Sequence, residues 1–195
     1  ADFGDAPAPY PTLSIDDGPQ HEAIGPRLGH NRDTESNGNP SLAADGDDLQ
    51  NAPPDDEDGV QFPAPIVAGA TDAPVIVSVQ GAGSGATLDA WIDFNGVNGF
   101  ETTEKIADGL SVGDGDNVVA FSVPSSAVLG NTCARFRLST LGTALPTGSA
   151  TDGEVEDYQV TISPPEGVGE VGTLDRTHYI PPMFAASGSP GVAQE

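Results

Sequence analysis

The stretch Gly153-Glu154-Val155-Glu156-Asp157-Tyr158-Gln159-Val160-Thr161-Ile162 decides the fold of this chain. It predicts an acidic turn that leads into a strand, because its apolar residues favour β-structure and alternate with polar ones from Tyr158 onward. Three carboxylates at the entrance of a strand are costly to crowd together unless a cation or a cluster of donors compensates them. Alternation sends Glu154 and Glu156 to one face and Asp157 to the other, so we do not expect all three to ligate one ion.

The composition is strongly acidic, with Asp+Glu 30 against Lys+Arg 6 and a formal net charge of -24 over 195 residues. Such a charge excludes nucleic acids and anionic membranes as expected partners, because their phosphates would be repelled. No apolar run is long enough to insert into a bilayer. The chain begins at Ala1 without an initiator Met, which fits either a secreted mature product or a trimmed chain.

The distribution of apolar residues predicts an all-β domain over residues 1–163. Short runs rich in Val, Ile and Phe, separated by Gly, Asp and Pro turns, predict strands near 60–68, 74–80, 87–94, 117–123, 133–140 and 155–162. We expect a β-sandwich of immunoglobulin-like or jelly-roll-like topology over 59–163, with at most one helical turn at Ser125 to Leu129. Prolines interrupt residues 1–58, which we expect to form a long, irregular, acidic N-terminal segment that wraps the sandwich.

Residues 164–195 are expected to form an extended C-terminal tail. The segment holds one β-compatible run, Thr173 to Ile180, and cannot build a core alone. Docking on a neighbouring copy as an added donor strand would cover its apolar side chains. The predicted subunit-contact residues are Leu174, Tyr179, Ile180, Met183 and Phe184.

Clusters of acidic residues in Gly-rich turns favour a calcium site, because Ca²⁺ takes six to eight oxygen ligands from carboxylates, amides and backbone carbonyls. Asp and Asn are also common in solvated turns, which is the simpler interpretation of the run Asp55 to Asp58 on its own. The clusters at the ends of core strands favour the metal interpretation. The candidate ligands are Asp93, Asn95, Asp45, Asp47, Asp56, Asp58, Glu154 and Asp157.

Arg135 and Arg137 flank Phe136 and therefore share one face of a strand. In so acidic a chain we expect them to form structural ion pairs with carboxylates of the following strand, Glu154 or Glu156. Cys133 lies in the same alternating run, which favours a buried, inert thiol.

Signals for catalysis are weak. The three His residues show no metal-ligand spacing, and Ser84 lacks the strand-turn-helix context of a nucleophile elbow. We therefore predict no enzymatic activity. An extracellular hydrolase that uses an Asp/Glu pair ranks last among the alternatives.

Several blocks of the sequence carry a family resemblance. They are Asp2-Phe3-Gly4-Asp5-Ala6-Pro7, Ala44-Asp45-Gly46-Asp47-Asp48, Asp56-Glu57-Asp58-Gly59-Val60, Trp91-Ile92-Asp93-Phe94-Asn95-Gly96, Ala134-Arg135-Phe136-Arg137-Leu138-Ser139 and Gly153-Glu154-Val155-Glu156-Asp157-Tyr158. In order and separation they resemble the GEVED domain across residues 2–162. The resemblance implies a β-rich module of secreted and surface-exposed bacterial proteins, without established enzymatic activity. The chain departs at Val97-Asn98, where the family commonly places Asp-Gly.

The leading hypothesis is a secreted structural subunit of an extracellular filament or surface assembly. Copies of the chain would polymerise head-to-tail by donation of the C-terminal tail, and calcium would stabilise them. The alternative is a cell-surface adhesin or carbohydrate-binding module. Such a module would bind surface glycans by stacking them on Trp91, Tyr10 or Tyr158.

Overall fold

The computed structural model describes residues 1–46, 56–97 and 99–165. The chain divides into two units, Ala1–Pro165 and Glu166–Glu195. The second unit, and with it every predicted subunit-contact residue of the tail, lies outside the described residues.

The first unit is all-β. Its strands are β1 Asp2–Phe3, β2 Gln20–His21, β3 Arg27–Leu28, β4 Val60–Gln61, β5 Ile66–Val67, β6 Ala73–Gln80, β7 Ala86–Ile92, β8 Lys105–Val112, β9 Gly115–Phe121, β10 Gly130–Ser139, β11 Ser149–Ala150 and β12 Glu154–Ser163. The described part of this unit also has two single-turn 3-10 helices, Ser14–Asp16 and Thr102–Glu104. Within the part of the chain that the structure describes, no helix has the length and apolar character to cross a membrane.

The described strands form three sheets. The largest has the order β5-β12-β10-β7-β8, and the second is built on β6. β9 pairs with β6 along its length, so β3 and β4 share the other edge of β6. The third sheet joins the short strands β1, β2 and β11.

The two larger sheets bury their apolar side chains in one shared core. The alternation along β6 directs one face of the strand into this core: alternate residues from Ala73 to Val79 are buried, while those between them are partly exposed. The core combines side chains from both sheets, among them Val75, Val77, Val79, Leu88, Ile92, Phe136, Leu138, Val160 and Ile162.

The short strands β1, β2 and β3 lie in the segment that was expected to be irregular, and β11 was not predicted either. Among the longer strands there are two main differences. The predicted run 60–68 is split into β4 and β5, because Pro63 and Pro65 lack the N–H groups that a continuous ladder needs. β8 was not predicted, because Asp108-Gly109 is typical of a turn. In the structure Gly109 has φ +59° within a strand whose pairing with β7 shifts register, as at a β-bulge. The helical turn expected at Ser125 to Leu129 is absent from the structure: Ser125 and Ser126 form a simple turn, in which the Ala127 amide donates to the Pro124 carbonyl at 3.0 Å.

Candidate functional site

β12 distributes its acidic residues over the two faces of the large sheet. In the β10–β12 ladder Glu154 lies opposite Leu138 and Glu156 opposite Phe136, whereas Asp157 lies opposite Arg135. Directly opposed residues share a face. Glu154 and Glu156 therefore enter from the side of the shared core, and Asp157 lies on the outer face.

On the outer face, Arg135 and Asp157 form a fully buried ion pair. Arg135 Nε and Nη2 donate to the two oxygens of Asp157, each at 2.7 Å. Both side chains also form hydrogen bonds with residues that are distant in sequence. Arg135 Nη1 donates to the Pro11 carbonyl at 2.9 Å, and Asp157 Oδ2 accepts from the Ala6 amide at 2.9 Å. The pair thus fastens residues 6–11 to the sheet.

Arg137 lies beside this pair and is bound mainly by backbone carbonyls. It donates to the carbonyls of Leu145, Thr147 and Gly148 at 2.6–2.8 Å, and its Nε donates to His21 Nε2 at 3.0 Å. Because Nε2 accepts, the proton of His21 lies on Nδ1, which faces the Asp152 carbonyl at 2.9 Å. Burial, and then the charge of Arg137, lower the pKa of His21 to about 3.

The predicted pairing of Arg137 and Glu156 is replaced by other contacts, because the register places the two side chains on opposite faces of the sheet. Glu156 accepts from the Gly59 amide at 3.0 Å and from the Tyr158 hydroxyl at 2.8 Å. Glu154 accepts from the Leu28 amide. These two carboxylates therefore fix the backbone at Leu28 in β3 and at Gly59 just before β4.

Around Glu154 and Glu156 the fold assembles an acidic cluster, which consists of Asp2, Asp33, Asp56, Glu154 and Glu156. Asp2, Asp33 and Asp56 each present one carboxylate oxygen, and these oxygens lie within 4.8 Å of one another. Two backbone donors orient the group: the Val155 amide donates to Asp2 at 2.7 Å, and the Asp33 amide donates to Asp56 at 3.1 Å.

Burial raises the pKa of three members of the acidic cluster. Desolvation is the largest cause for Asp2, Glu154 and Glu156, and it is reinforced by the mutual repulsion of neighbouring carboxylates. The amides of Val155, Leu28 and Gly59 act in the opposite direction, since they donate to the charged forms.

Of the predicted cation ligands, the structure brings Asp56 and Glu154 into this cluster. Asp157 is engaged by Arg135. Asp93 accepts from the Asn95 and Gly96 amides and from the Tyr10 hydroxyl, while Asn95 Oδ1 accepts from the Val97 amide. Both residues thus stabilise the turn that follows β7.

The remaining predicted ligands lie in two other turns. Asp45 accepts from the Ser41 hydroxyl at 2.6 Å. Asp58 accepts from the amides of His30 and Asn31. Asp47 lies outside the described residues.

Three members of the acidic cluster are absent from the predicted ligands: Asp2, Asp33 and Glu156, the last of which was predicted to form an ion pair with the arginines. Asp2 is marked only by its place in the first family block, and Asp33, with Glu35 two positions later, stands in a polar loop outside the predicted acidic clusters. The three closest carboxylates are 31 and 23 positions apart (from 2 to 33 and from 33 to 56), so no local spacing pattern could have joined them.

The rings that could serve as a stacking platform are largely enclosed. Trp91 is 0% exposed and lies beneath Lys105, whose Nζ is 5.1 Å from the ring centroid. Tyr10 stacks on Phe100 at 4.7 Å, and Tyr158 packs edge-on against Phe136. Cys133 is buried, as the sequence pattern predicts, and burial raises the pKa of its thiol to about 12.

Comparison with known proteins gives one match. Residues 87–161 match the model of the GEVED domain. The matched range begins in β7 and ends in β12. No curated protein and no solved structure matches the sequence. The matched range includes Arg135, Asp157 and Glu154, but Asp2, Asp33 and Asp56 precede it. The match agrees with the resemblance found in the sequence and covers residues 87–161, which is less than half of the chain.

Proposed function

We propose that this chain is a structural subunit of an extracellular assembly, in which the C-terminal segment of one copy pairs with an open sheet edge of the next. The observation that carries the proposal is β9. Seven consecutive residues of β9, Gly115–Phe121, pair in unbroken register with β6 on one side. On its other side, none of the strands in the described ranges pairs with it.

β9 has few of the features that protect an edge strand. It contains no Pro and one charged residue, Asp116, and Val118 is 71% exposed. A regular, weakly charged edge presents a row of backbone groups that can accept another strand. The other long edge strand, β8, is bulged and carries Lys105 and Asp108, both of which discourage strand addition.

The segment Leu174–Phe184 is a suitable donor for the β9 edge. Its β-compatible run from Thr173 to Ile180 spans eight residues, about the length of β9. Pro181-Pro182 would end the added strand, since proline cannot continue a ladder. A contact between the tail of one copy and the edge of another is heterologous and does not close, so it propagates a filament.

Within this proposal the two larger sheets form a β-sandwich of immunoglobulin-like or jelly-roll-like type, wrapped by the acidic N-terminal segment. The shared core of the sheets supports the sandwich. The bonds from Arg135 and Asp157 to residues 6–11 support the wrap. Outside the cell, where small domains are commonly stabilised by disulfides, a chain with a single buried Cys would depend on other contacts for its stability.

The direct test of assembly compares the full chain with a chain that ends at Pro165. We expect the full chain to form concentration-dependent oligomers in sedimentation experiments and fibres in electron micrographs, and the shortened chain to remain monomeric. Equal assembly of the two chains, or a monomeric full chain at every concentration, contradicts the proposal.

Cysteine crosslinking locates the contact. Copies that carry Val118→Cys are mixed with copies that carry a cysteine at one position from 174 to 180, and oxidised. Because side chains alternate along a strand, we expect covalent dimers at every second tail position. Leu141→Cys, which is 84% exposed in the loop after β10, is the matched control. Crosslinking to Val118→Cys that does not exceed this control contradicts docking on β9.

A further inference from the structure

The acidic cluster brings together side chains that are distant in sequence and that the fold holds in place. Asp2 belongs to β1 and is fixed by the Val155 amide, and Asp56 accepts from the Asp33 amide. One oxygen from each of Asp2, Asp33 and Asp56 lies within 4.8 Å of the other two. Ligands of one Ca²⁺ at about 2.3–2.6 Å from the ion can be about 5 Å apart at most, so these oxygens can share an ion.

Unsatisfied buried oxygens provide a second, independent observation. Glu154 is 0% exposed, and its Oε1 has no hydrogen-bond partner among the residues that the structure describes. The charge that acts most strongly on the Glu154 carboxyl is that of Asp2, so Glu154 lies close to the cluster. Asp33 Oδ1 is also buried without a hydrogen-bond partner in the described ranges. Buried polar atoms without partners are rare in folded proteins and commonly mark a missing ion or water.

Positive charge near the cluster does not balance it. Arg32 acts on Asp2 and Glu154, but its Nη1 donates to the carbonyls of Pro26 and Gly153 at 3.2 and 3.3 Å. Asp58 adds a further negative charge that acts on Glu156. Arg137 also interacts with Asp2. Among the described residues, the carboxylates of the cluster still outnumber these two guanidinium groups, so they cannot all ionise without a further cation, because burying uncompensated charge is costly.

We propose that the acidic cluster is a binding site for one divalent cation of the calcium type, with Asp2, Asp33 and Asp56 as ligands and Glu154 as a neighbouring buried carboxylate whose charge the ion helps to balance. Hard oxygen ligands select Ca²⁺ over softer transition metals. The ion joins β1, the loop at Asp33 and the chain before β4 to the first residues of β12. The site is independent of assembly, since every ligand belongs to one copy.

Shared protons are the competing way to neutralise the cluster, and metal titration distinguishes the two. The full chain is freed of metal with EDTA at pH 7 and titrated with CaCl2 by calorimetry at concentrations where it is monomeric. We expect one ion per chain with a Kd at or below about 10 µM, within the range of multi-carboxylate sites. At about 1 mM CaCl2 such binding raises Tm by about 5–10 °C.

The variant Asp33→Asn separates cation binding from simple charge repulsion. Without metal, removal of one repelling carboxylate should leave Tm equal to or above that of the wild type. With CaCl2 the order should reverse, because the variant loses most of the calcium-dependent rise. Asp56→Asn should behave in the same way, and Asp72→Asn, an exposed acid on a turn, should retain the full rise.

Two results would overturn the proposal. One is a wild-type chain that shows neither binding heat nor a calcium-dependent change in Tm at pH 7, which would leave shared protons as the neutralising agent. The other is an undiminished calcium effect in both Asp33→Asn and Asp56→Asn, which would place the ion elsewhere. Neither result bears on tail docking, which is measured separately by sedimentation and crosslinking.

Discussion

Arg135 and Asp157 lie directly opposite each other in the β10–β12 ladder, and both their side chains are 0% exposed. The two hydrogen bonds between them, each 2.7 Å, leave further donors and acceptors that bind the Pro11 carbonyl and the Ala6 amide. One ion pair thus links β10 to β12 and also anchors the N-terminal segment.

Breaking this pair should be strongly destabilising. Asp157→Asn leaves the Arg135 guanidinium buried without a counter-charge, and the free energy of unfolding should fall by about 3–5 kcal/mol. Urea denaturation at pH 7 measures the change. Asp108→Asn is the control, because the Asp108 side chain is 84% exposed in its pair with Lys105 and should cost less than about 1 kcal/mol. Equal costs for the two variants would show that Asp157 has no special role.

Protonation of His21 should lower the free energy of unfolding as the pH falls from 7 to 5. The pKa of His21 in the folded chain is about 3, below its ordinary value of 6.5. Its contribution to the free energy of unfolding is therefore complete above pH 6.5 and is lost as the pH falls toward 3. Between pH 7 and pH 5 the loss should be about 1–2 kcal/mol. The groups that act on the ring are Arg137, Arg135 and Asp152, while Asp2 pairs with the His21 backbone.

The variant His21→Gln isolates this contribution, because its side-chain oxygen can still accept from Arg137 but cannot titrate. Denaturation curves at pH 7 and pH 5 should show a smaller pH-dependent loss for the variant than for the wild type. An identical loss in both chains would exclude His21 as the cause.

Gly153, the first residue of the acidic motif, should not tolerate a side chain. It has φ +100°, and an added Cβ would lie 1.8 Å from the Leu138 carbonyl oxygen, so Gly153→Ala must displace the backbone of β10. We expect a loss of about 3 kcal/mol or more. Gly83→Ala is the matched control, since Gly83 also has positive φ (+57°) but nothing within 4 Å of an added Cβ. It should cost about 1 kcal/mol, and a similar cost at both positions would contradict the clash at Gly153.

The sequence predicts those parts of the fold that depend on local periodicity. Alternation in β6, β10 and β12 locates these strands, and in β12 it also separates Glu154 and Glu156 from Asp157. β8 escapes prediction because Asp108-Gly109 has turn chemistry, while in the structure the Gly109 amide donates to buried Asp89 inside the ladder. Here tertiary contacts override the local signal.

The site was less predictable, because its chemistry depends on long-range contacts. Asp93 and Asn95 have the spacing of a cation-binding loop, but Asp93 stabilises its own turn and binds Tyr10, 83 positions away. Asp2 and Asp33 are 31 positions apart and become neighbours only when the N-terminal segment folds onto β12. Local spacing identifies acidic residues, whereas the fold determines which of them meet.

Hydrogen exchange in the presence and absence of calcium tests whether a cation fastens the N-terminal segment to β12. In the full chain at pH 7, calcium should slow amide exchange in peptides from residues 1–6, 27–35 and 56–61, where the Leu28 and Asp33 amides donate to cluster carboxylates. Exchange in the middle of β10 should remain unchanged. Identical exchange with calcium and with EDTA, or equal slowing throughout the first unit, would contradict a cation at the acidic cluster.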